Sequence, residues 1–243
     1  TVADVYRDGT GTVVTSGGTL DANTKKVTSV VTWDFSPLRQ EVVTLVTYLT
    51  NWIAKISGNR GMQIAYYDTT NKSLKYTTCT ANCSVSANWT AVTVDSTVGK
   101  DKGLYTSLAL YNGNPRISYY DASNHDLQYT TCDSNCTLST NWTKTTIDSS
   151  STDTGLYTSL KIDGNGNPRI SYYDSNNGDL KYAFCDTSCT TPANWTTVTL
   201  DSSGDVGQYT SLALTSSGNP RISYYDTQSN DVWYASCDTN CNL

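Results

Sequence analysis

The sequence predicts an all-β protein in which four blade-like, four-stranded repeats follow a small N-terminal β segment. One phrase of Ile, a small residue, two Tyr and Asp recurs at intervals of 53, 53 and 52 residues, at positions 64–68, 117–121, 170–174 and 222–226. The 243 residues are rich in Thr, Val and Tyr, which favour strands, and in Asp, Asn, Gly and Ser, which favour turns. A single Met and a single Glu show that strong helix formers are scarce.

The four strands of one repeat are clearest in the third unit. Their predicted positions are residues 157–162, 169–173, 180–184 and 195–200, and turns or a cysteine-containing loop separate them. One small sheet cannot bury both of its faces alone, so we expect successive sheets to stack on one another. Radial stacking into a ring would also leave only short sheet edges exposed.

The repeats, residues 53–243, resemble bacterial β-propeller repeats of the sialidase-like and lectin-like kinds. The resemblance lies in the four strands within about 50 residues, which is the size of one propeller blade. It implies a ring of blades but no particular activity, because propellers have many functions. The Asp-box phrase of sialidase repeats is not present in the sequence.

The N-terminal segment, residues 1–52, does not follow the repeat. Alternating polarity predicts strands at 2–6, 12–15, 27–33 and 42–49. The phrases at 5–9, 16–21, 26–33 and 47–52 resemble the C-terminal sheet of type IV pilins and pseudopilins. This resemblance implies a hydrophobic helix upstream of Thr1, whereas the alternative is a plain β-hairpin cap on a propeller.

The fourth repeat lacks a predicted fourth strand. That strand begins at Trp89, Trp142 and Trp195 in the other units, but the fourth unit reaches Leu243 directly after its cysteine pair. An open sheet edge invites pairing with another strand. We expect the segment 42–49 to complete this sheet and close the ring. The alternatives are that the segment stays in an N-terminal sheet, or that further repeats follow Leu243.

Eight cysteines form one Cys-x-x-x-Cys pair in each unit, namely Cys79/Cys83, Cys132/Cys136, Cys185/Cys189 and Cys237/Cys241. The repetition predicts four local disulfides, because zinc needs four ligands close together and these pairs lie about one repeat apart. Each loop must turn back on itself to bring the two Cα atoms within about 7 Å. Disulfides indicate an oxidising compartment, so we expect an extracellular or cell-surface location.

Two charged positions recur and are candidate ligand-binding residues. An Arg follows Asn-Pro and an Asp follows the Tyr pair, which gives Arg116, Arg169, Arg221, Asp121, Asp174 and Asp226. A repeated Arg between blades could bind a carboxylate or sugar hydroxyls. The alternative is an Arg–Asp pair that braces a hairpin. We expect the tyrosines of the repeats to be packing residues, including Tyr129, Tyr182 and Tyr234.

Catalytic and metal sites are not expected. The only His, His125, lies in a turn, and the only Glu, Glu41, lies outside the repeats. A sialidase-like site would need a carboxylate base, so we expect no enzyme and no catalytic residue. We also expect no metal and no cofactor, although the Asp-rich turns 121–126, 174–179 and 226–231 leave calcium as an alternative.

The charge of the chain narrows the choice of partners. Asp and Glu number 22 against 16 Lys and Arg, which disfavours nucleic acid, and no apolar run is long enough to span a membrane. We expect an extracellular binding or adhesion module, displayed on a cell surface or pilus-like filament, whose partner is a glycan or another surface ligand. The alternatives are a structural subunit that contacts other subunits of an extracellular filament, and a propeller-type glycosidase.

Overall fold

The structure is a computed structural model, and it divides the chain into two units, Thr1–Arg60 and Gly61–Leu243. It describes the strands of the first 50 residues by their backbone, and residues 61–149, 153–239 and 241 with their side chains. The predicted domain boundary at residues 52/53 lies outside the described residues and stays a prediction.

The N-terminal unit contains one antiparallel sheet with the order β2-β1-β3-β4. Its strands are β1 (Val2–Arg7), β2 (Val13–Val14), β3 (Thr19–Ser36) and β4 (Arg39–Thr50). The segment 42–49 lies within β4, which pairs with β3 from Thr24↔Thr50 to Ser36↔Arg39. In the described backbone this segment therefore belongs to the N-terminal sheet and not to the sheet of the fourth repeat.

The repeat unit contains four consecutive antiparallel sheets, which confirms the predicted fold class. The two middle sheets have four strands each, and the first and last have three within the described residues. The strands are β5 (Met62–Asp68), β6 (Ser73–Cys79) and β7 (Thr90–Asp95); β8 (Lys102–Tyr111), β9 (Asn114–Asp121), β10 (Asp126–Thr131) and β11 (Thr143–Asp148); β12 (Thr154–Ile162), β13 (Pro168–Asp174), β14 (Asp179–Phe184) and β15 (Thr196–Asp201); and β16 (Val206–Leu214), β17 (Pro220–Asp226) and β18 (Asp231–Ser236).

Successive sheets bury the apolar side chains of the repeated phrase. Ile117 and Tyr119 on β9 are fully buried and pack in one cluster with Leu74 and Tyr76 of the preceding sheet. The first strands of neighbouring sheets also lie side by side, because the Leu160 amide donates to Ser107 Oγ at 3.0 Å, and the same bond recurs one repeat later. Among the described residues, no helix is long and apolar enough to cross a membrane.

Half of the sixteen tyrosines with described side chains are buried, as predicted, whereas Tyr66, Tyr105, Tyr209 and Tyr234 are exposed. Tyr129 and Tyr182 are covered by the repeat that follows them, and Tyr129 contacts Trp195 of that repeat. Tyr234 is 62% exposed, because it lies in the last sheet of the array and no later sheet packs on it within the described residues.

The four predicted disulfides are confirmed. Each closes one loop and brings its two Cα atoms to 5.6–5.7 Å from each other. The bonded pairs are Cys79–Cys83, Cys132–Cys136, Cys185–Cys189 and Cys237–Cys241. The two cysteines of a pair differ in their surroundings, since Cys79 and Cys185 are almost fully buried whereas Cys83 and Cys189 are only half-buried. Each of the first three disulfides therefore joins the end of a largely buried strand to a loop nearer the surface, whereas both cysteines of the fourth are half-buried.

The second cysteine of three loops has a role that the spacing of the cysteines did not predict. A short 3₁₀ turn and a Trp follow each of these loops. The carbonyl oxygens of Cys83, Cys136 and Cys189 accept the indole N–H of Trp89, Trp142 and Trp195, each at 2.9 Å. The disulfide, the turn and the Trp therefore form one rigid corner at the entrance to the fourth strand.

Candidate functional site

Three tyrosines from consecutive repeats form a row that the sequence analysis did not identify. Tyr105, Tyr157 and Tyr209 lie near the start of β8, β12 and β16, and their ring centroids are 4.5 and 4.4 Å apart. All three have positive φ angles of 52–53°, a region that bulky residues rarely adopt. The detectable signal was the repeated Tyr-Thr-Ser-Leu phrase at 105–108, 157–160 and 209–212.

A glycine two residues before each tyrosine creates this conformation. Gly155 has φ +106°, and a Cβ on it would lie 2.7 Å from the Leu127 Cα of the preceding sheet. The strand register shifts around Gly155, so that Tyr157 falls between the paired residues Leu156 and Ser159. The same bulge recurs at Gly103 and Gly207. Such bulges re-aim a side chain, and here they bring three rings together.

Among the described residues, the row ends at Tyr209. Its side chain is 66% exposed, whereas Tyr157 lies between two rings and is only partly exposed. A cavity of 470 Å³ adjoins Tyr209 and is lined also by Ser223, Tyr224, Tyr225 and Val232. An exposed aromatic ring beside a mostly apolar depression with phenol groups can stack on a ligand and orient it by hydrogen bonds.

The middle hydroxyl group of the row, that of Tyr157, has a raised pKa. Burial, with hydrogen bonds to Tyr209 and Tyr105, raises the pKa of Tyr157 above its ordinary value. A neutral phenol both donates and accepts hydrogen bonds. The row can therefore pair with the hydroxyl groups of a neutral polar ligand.

A second set of tyrosines packs against the row. Tyr120 and Tyr173 have ring centroids 6.1 Å from Tyr105 and Tyr157 respectively. The hydroxyl of Tyr173 donates to Asp205 of the next repeat at 2.5 Å, and burial together with this bond raises its pKa to about 12. This hydrogen bond between repeats fixes the Tyr173 ring, on which Tyr157 packs.

Asp153 accepts the corresponding hydrogen bond from the Tyr120 hydroxyl. Burial alone would raise the pKa of Asp153, but hydrogen bonds from Ser175, Tyr120 and His125 outweigh burial and hold the pKa below its usual value. The exposed His125 belongs to the same hydrogen-bonded group, because its Nδ1 lies 2.9 Å from the Tyr120 hydroxyl. Its ring belongs to the loop that supports the row.

The predicted Arg and Asp positions do not form one site. Arg169 and Asp174 lie at opposite ends of β13, which places their Cα atoms roughly 16 Å apart at about 3.3 Å per residue. Arg169 donates to the carbonyls of Pro168 and Cys185 and to the carboxylates of Asp163 and Asp186. Arg116 and Arg221 hold their disulfide loops in a similar way. A role for these arginines in ligand binding stays a prediction.

The predicted Asp positions stabilise hairpin turns. Asp121 Oδ1 accepts the amides of Ser123 and Asn124, and its Oδ2 accepts from Asn124 Nδ2 and from the Lys102 ammonium at 2.5 Å. Asp174 and Asp226 accept backbone amides of their own turns. No group of three or more His, Cys, Asp or Glu able to hold a metal occurs among the residues with described side chains, and the calcium alternative stays untested.

Two further carboxyl groups lie close to the turn aspartates. Asp126 is the cross-strand neighbour of Asp121, and Asp179 is that of Asp174. Burial, followed by the negative charges of Asp121 and Asp148, raises the pKa of Asp126. Burial and the charge of Asp174 raise the pKa of Asp179. Each hairpin therefore holds one carboxyl that retains its proton more readily than usual.

No protein-family model and no curated protein matches the chain. Among solved structures, it is similar to an exo-β-1,3-galactanase from Phanerochaete chrysosporium with galactose, at a TM-score of 0.43 and 10% identity over 98% of this chain and 64% of that chain. For an exo-β-1,3-galactanase from Clostridium thermocellum the TM-score is 0.37 and the identity 11%, over 97% of this chain and 62% of that chain. For an endo-arabinase from Bacteroides thetaiotaomicron the TM-score is 0.36 and the identity 16%, over 88% of each chain. The chain thus spans less than two thirds of both galactanases, and the likeness concerns the fold alone.

These comparisons correct one expectation. The prediction that the chain is not an enzyme is wrong as it was stated, because the solved structures that it resembles are enzymes. The substrates in their names remain properties of those proteins. The resemblance of residues 1–52 to pilins gains no support and stays a prediction.

Proposed function

We propose that this chain binds carbohydrate through the tyrosine row, in an oxidising environment outside the cell. The observation that carries the proposal is the exposed ring of Tyr209, held at a strained backbone angle above a cavity lined by two more tyrosines. Strain of this kind costs about 1–3 kcal/mol per residue and persists where the surroundings impose it. The same strained tyrosine occurs in three repeats, which favours a functional role for the three rings.

A neutral sugar matches the chemistry of this face. The C–H face of a sugar ring stacks on an aromatic ring, and its hydroxyl groups pair with phenol groups. No cation is described among the residues that line the exposed end of the row, so an anionic ligand has little to bind there. The four disulfides are consistent with an extracellular setting. The proposal does not extend to adhesion or to a filament, because no contact among the described residues favours either.

The test is glycan binding by the parent chain and by a Tyr209→Asn variant. Asn tolerates the positive φ angle, so the substitution removes the ring without adding backbone strain. After a glycan array has identified a binder, titration calorimetry should show at least about a tenfold loss of affinity in the variant. Tyr234→Ala is the matched control, since Tyr234 is equally exposed but lies outside the row. Equal losses in both variants, or an array without binders, would refute the proposal.

Hydrolysis of the bound glycan is a second candidate function. The paired carboxyls favour it, because glycoside hydrolysis uses one protonated and one ionised carboxyl, and Asp126 and Asp179 have raised pKa values beside Asp121 and Asp174. Release of reducing sugar from the bound glycan would show it. Activity that survives in the Asp126→Asn and Asp179→Asn variants would exclude these carboxyls as the acid.

A further inference from the structure

A cavity of 240 Å³ with a mostly polar lining lies between the second and third repeats, on the side of their disulfide loops. The second repeat contributes Arg116 and Thr131, and the third contributes the turn before β13 and the loop of the third disulfide. Tyr157 of the tyrosine row lies near the start of β12, whereas this turn follows the end of β12. An apolar cavity of about 150 Å³ holds benzene, so this one has room for a small substituted molecule.

Arg116 has fewer partners than the equivalent Arg169 of the next repeat. Both arginines donate to two main-chain carbonyl groups and to the first Asp of the disulfide loop that follows. Arg169 also donates through Nη2 to Asp163 at 3.0 Å. The equivalent of Asp163 in the second repeat is Tyr111, whose ring packs on Gly166. Among the described residues, no second carboxylate reaches Arg116, although its side chain is only 11% exposed.

A buried hydroxyl group without a partner lines the same cavity. Thr131 is 8% exposed, and its Oγ1 has no hydrogen-bond partner among the described residues. The nearby Tyr129 hydroxyl interacts with it only weakly, since burial is the largest cause of the raised pKa of Tyr129 and Thr131 is the smallest influence on it. A buried polar group without a hydrogen bond is destabilising, so a ligand that supplies this bond gains affinity.

The neighbouring interfaces fill the corresponding space with the protein's own side chains. Between the third and fourth repeats, Phe184 stands where the second repeat has Thr131, and its ring centroid lies 5.9 Å from the Arg169 guanidinium. Between the first and second repeats, Gln63 takes the place of the arginine and donates to the Gly113 carbonyl across the interface at 2.9 Å. The interface of the second and third repeats has neither arrangement, so its arginine and its hydroxyl are available to a ligand.

We propose that this cavity binds a small ligand that carries a carboxylate and neighbouring hydroxyl groups, as a hydroxy acid or an acidic sugar residue does. The carboxylate would accept from Nη2 of Arg116, as Asp163 accepts from Arg169. A hydroxyl group of the ligand would pair with Thr131 Oγ1. Hydrogen bonds between a guanidinium and a carboxylate are about twice as strong as neutral ones, so the carboxylate supplies most of the affinity.

The rim of the cavity explains why the ligand needs hydroxyl groups as well as a carboxylate. Asp133 and Asp186 lie there, and each accepts from an arginine at 2.6 Å. Their side chains are 72% and 52% exposed, so solvent and the paired arginines weaken their repulsion of an anion. Their remaining oxygen atoms can accept the hydroxyl groups of a ligand.

Titration calorimetry of the full chain with D-glucuronate and with D-gluconate tests the proposal. At least one of these acids should bind saturably. The corresponding amide keeps the hydroxyl groups but lacks the charge, and it should bind at least about tenfold more weakly. Tighter binding of glucuronate would assign the site to an acidic sugar residue, and tighter binding of gluconate to a free hydroxy acid. Binding of neither acid, or equal binding of acid and amide, would overturn the proposal.

Two variants locate the site with residues that other repeats have at the same positions. Arg116→Gln follows the first repeat and Thr131→Phe follows the third, and both should weaken binding of the acid at least about tenfold. Lys161→Gln is the control, because it removes a charge from an exposed side chain outside the cavity lining. Thermal unfolding checks that each variant is folded. Unchanged affinity in a folded Arg116→Gln or Thr131→Phe variant, or an equal loss in the control, would overturn the proposal.

The tyrosine row takes no part in this site, so the two proposals can fail separately. The lining of the cavity includes none of the three tyrosines of the row. Loss of acid binding in Arg116→Gln therefore bears on this cavity alone, and loss of glycan binding in Tyr209→Asn bears on the row alone.

Discussion

Arg169 shows why a repeated charged residue need not mark a ligand site. Its side chain is almost fully buried, and it joins two carbonyls to Asp163 and Asp186. It therefore ties the turn before β13 to the disulfide loop after β14. The bracing pair anticipated from the sequence does exist, but its partners are loop aspartates rather than Asp174 at the far end of the strand.

We predict that Arg169→Ala lowers the free energy of unfolding by about 3 kcal/mol, since it leaves Asp163 without its buried partner. Arg116→Ala is the matched comparison and should cost less. Its only described carboxylate partner, Asp133, is 72% exposed and can be solvated when the Arg is removed. Urea unfolding of both variants measures the difference. Equal effects would show that the second carboxylate of Arg169 contributes little.

Sequence alone could have separated the Arg and Asp positions. Arg169 and Asp174 are the second and last residues of one extended strand, and extended residues do not fold back. In contrast, the only local feature that distinguishes Tyr157 from the buried Tyr172 is the glycine two residues before it, and the bulge at that glycine also depends on the close approach of Leu127 from another repeat. The exposed row was therefore not predictable from periodicity.

At the scale of elements, the predicted strands and disulfides follow the period of the sequence closely. The predicted strand 169–173 lies within β13, and 180–184 lies within β14. Alternation and turn residues are local signals, and one cysteine pair per repeat leaves little choice of partner. The bulges in β8, β12 and β16 are the elements that this reasoning missed, since a glycine near a strand end has many causes.

We predict that Gly155→Ala destabilises the protein by about 2 kcal/mol or more. The φ angle of +106° disfavours any side chain, and the added Cβ would lie 2.7 Å from a backbone atom of Leu127. Gly164→Ala is the control, because a Cβ there meets nothing within 4 Å. Thermal unfolding should leave the Gly164 variant close to the parent. A similar loss in both variants would mean that the bulge is not the constraint.

At the scale of the whole molecule, the array is a chain of sheets that cover one another in sequence. Ile117 and Tyr119 are fully buried against the first sheet, whereas the equivalent Ile64 at the start of the array is 46% exposed. At the other end, Val232 is 78% exposed, although its equivalents Leu127 and Leu180 are fully buried. Among the described sheets of the array, each middle repeat is therefore covered on two sides and each end repeat on one.

We predict that hydrogen exchange protection is highest in β9, β10, β13 and β14 and lower in β5 and β18. In a repeat array, stability is roughly a sum of intrinsic terms and contacts with nearest neighbours, so a sheet with one covered face opens more readily than a sheet with two. Exchange followed by mass spectrometry resolves these strands as separate peptides. Because each repeat has the same disulfide, covalent constraint cannot produce the gradient. Uniform protection along the array would instead show that the end sheets are covered by other parts of the chain.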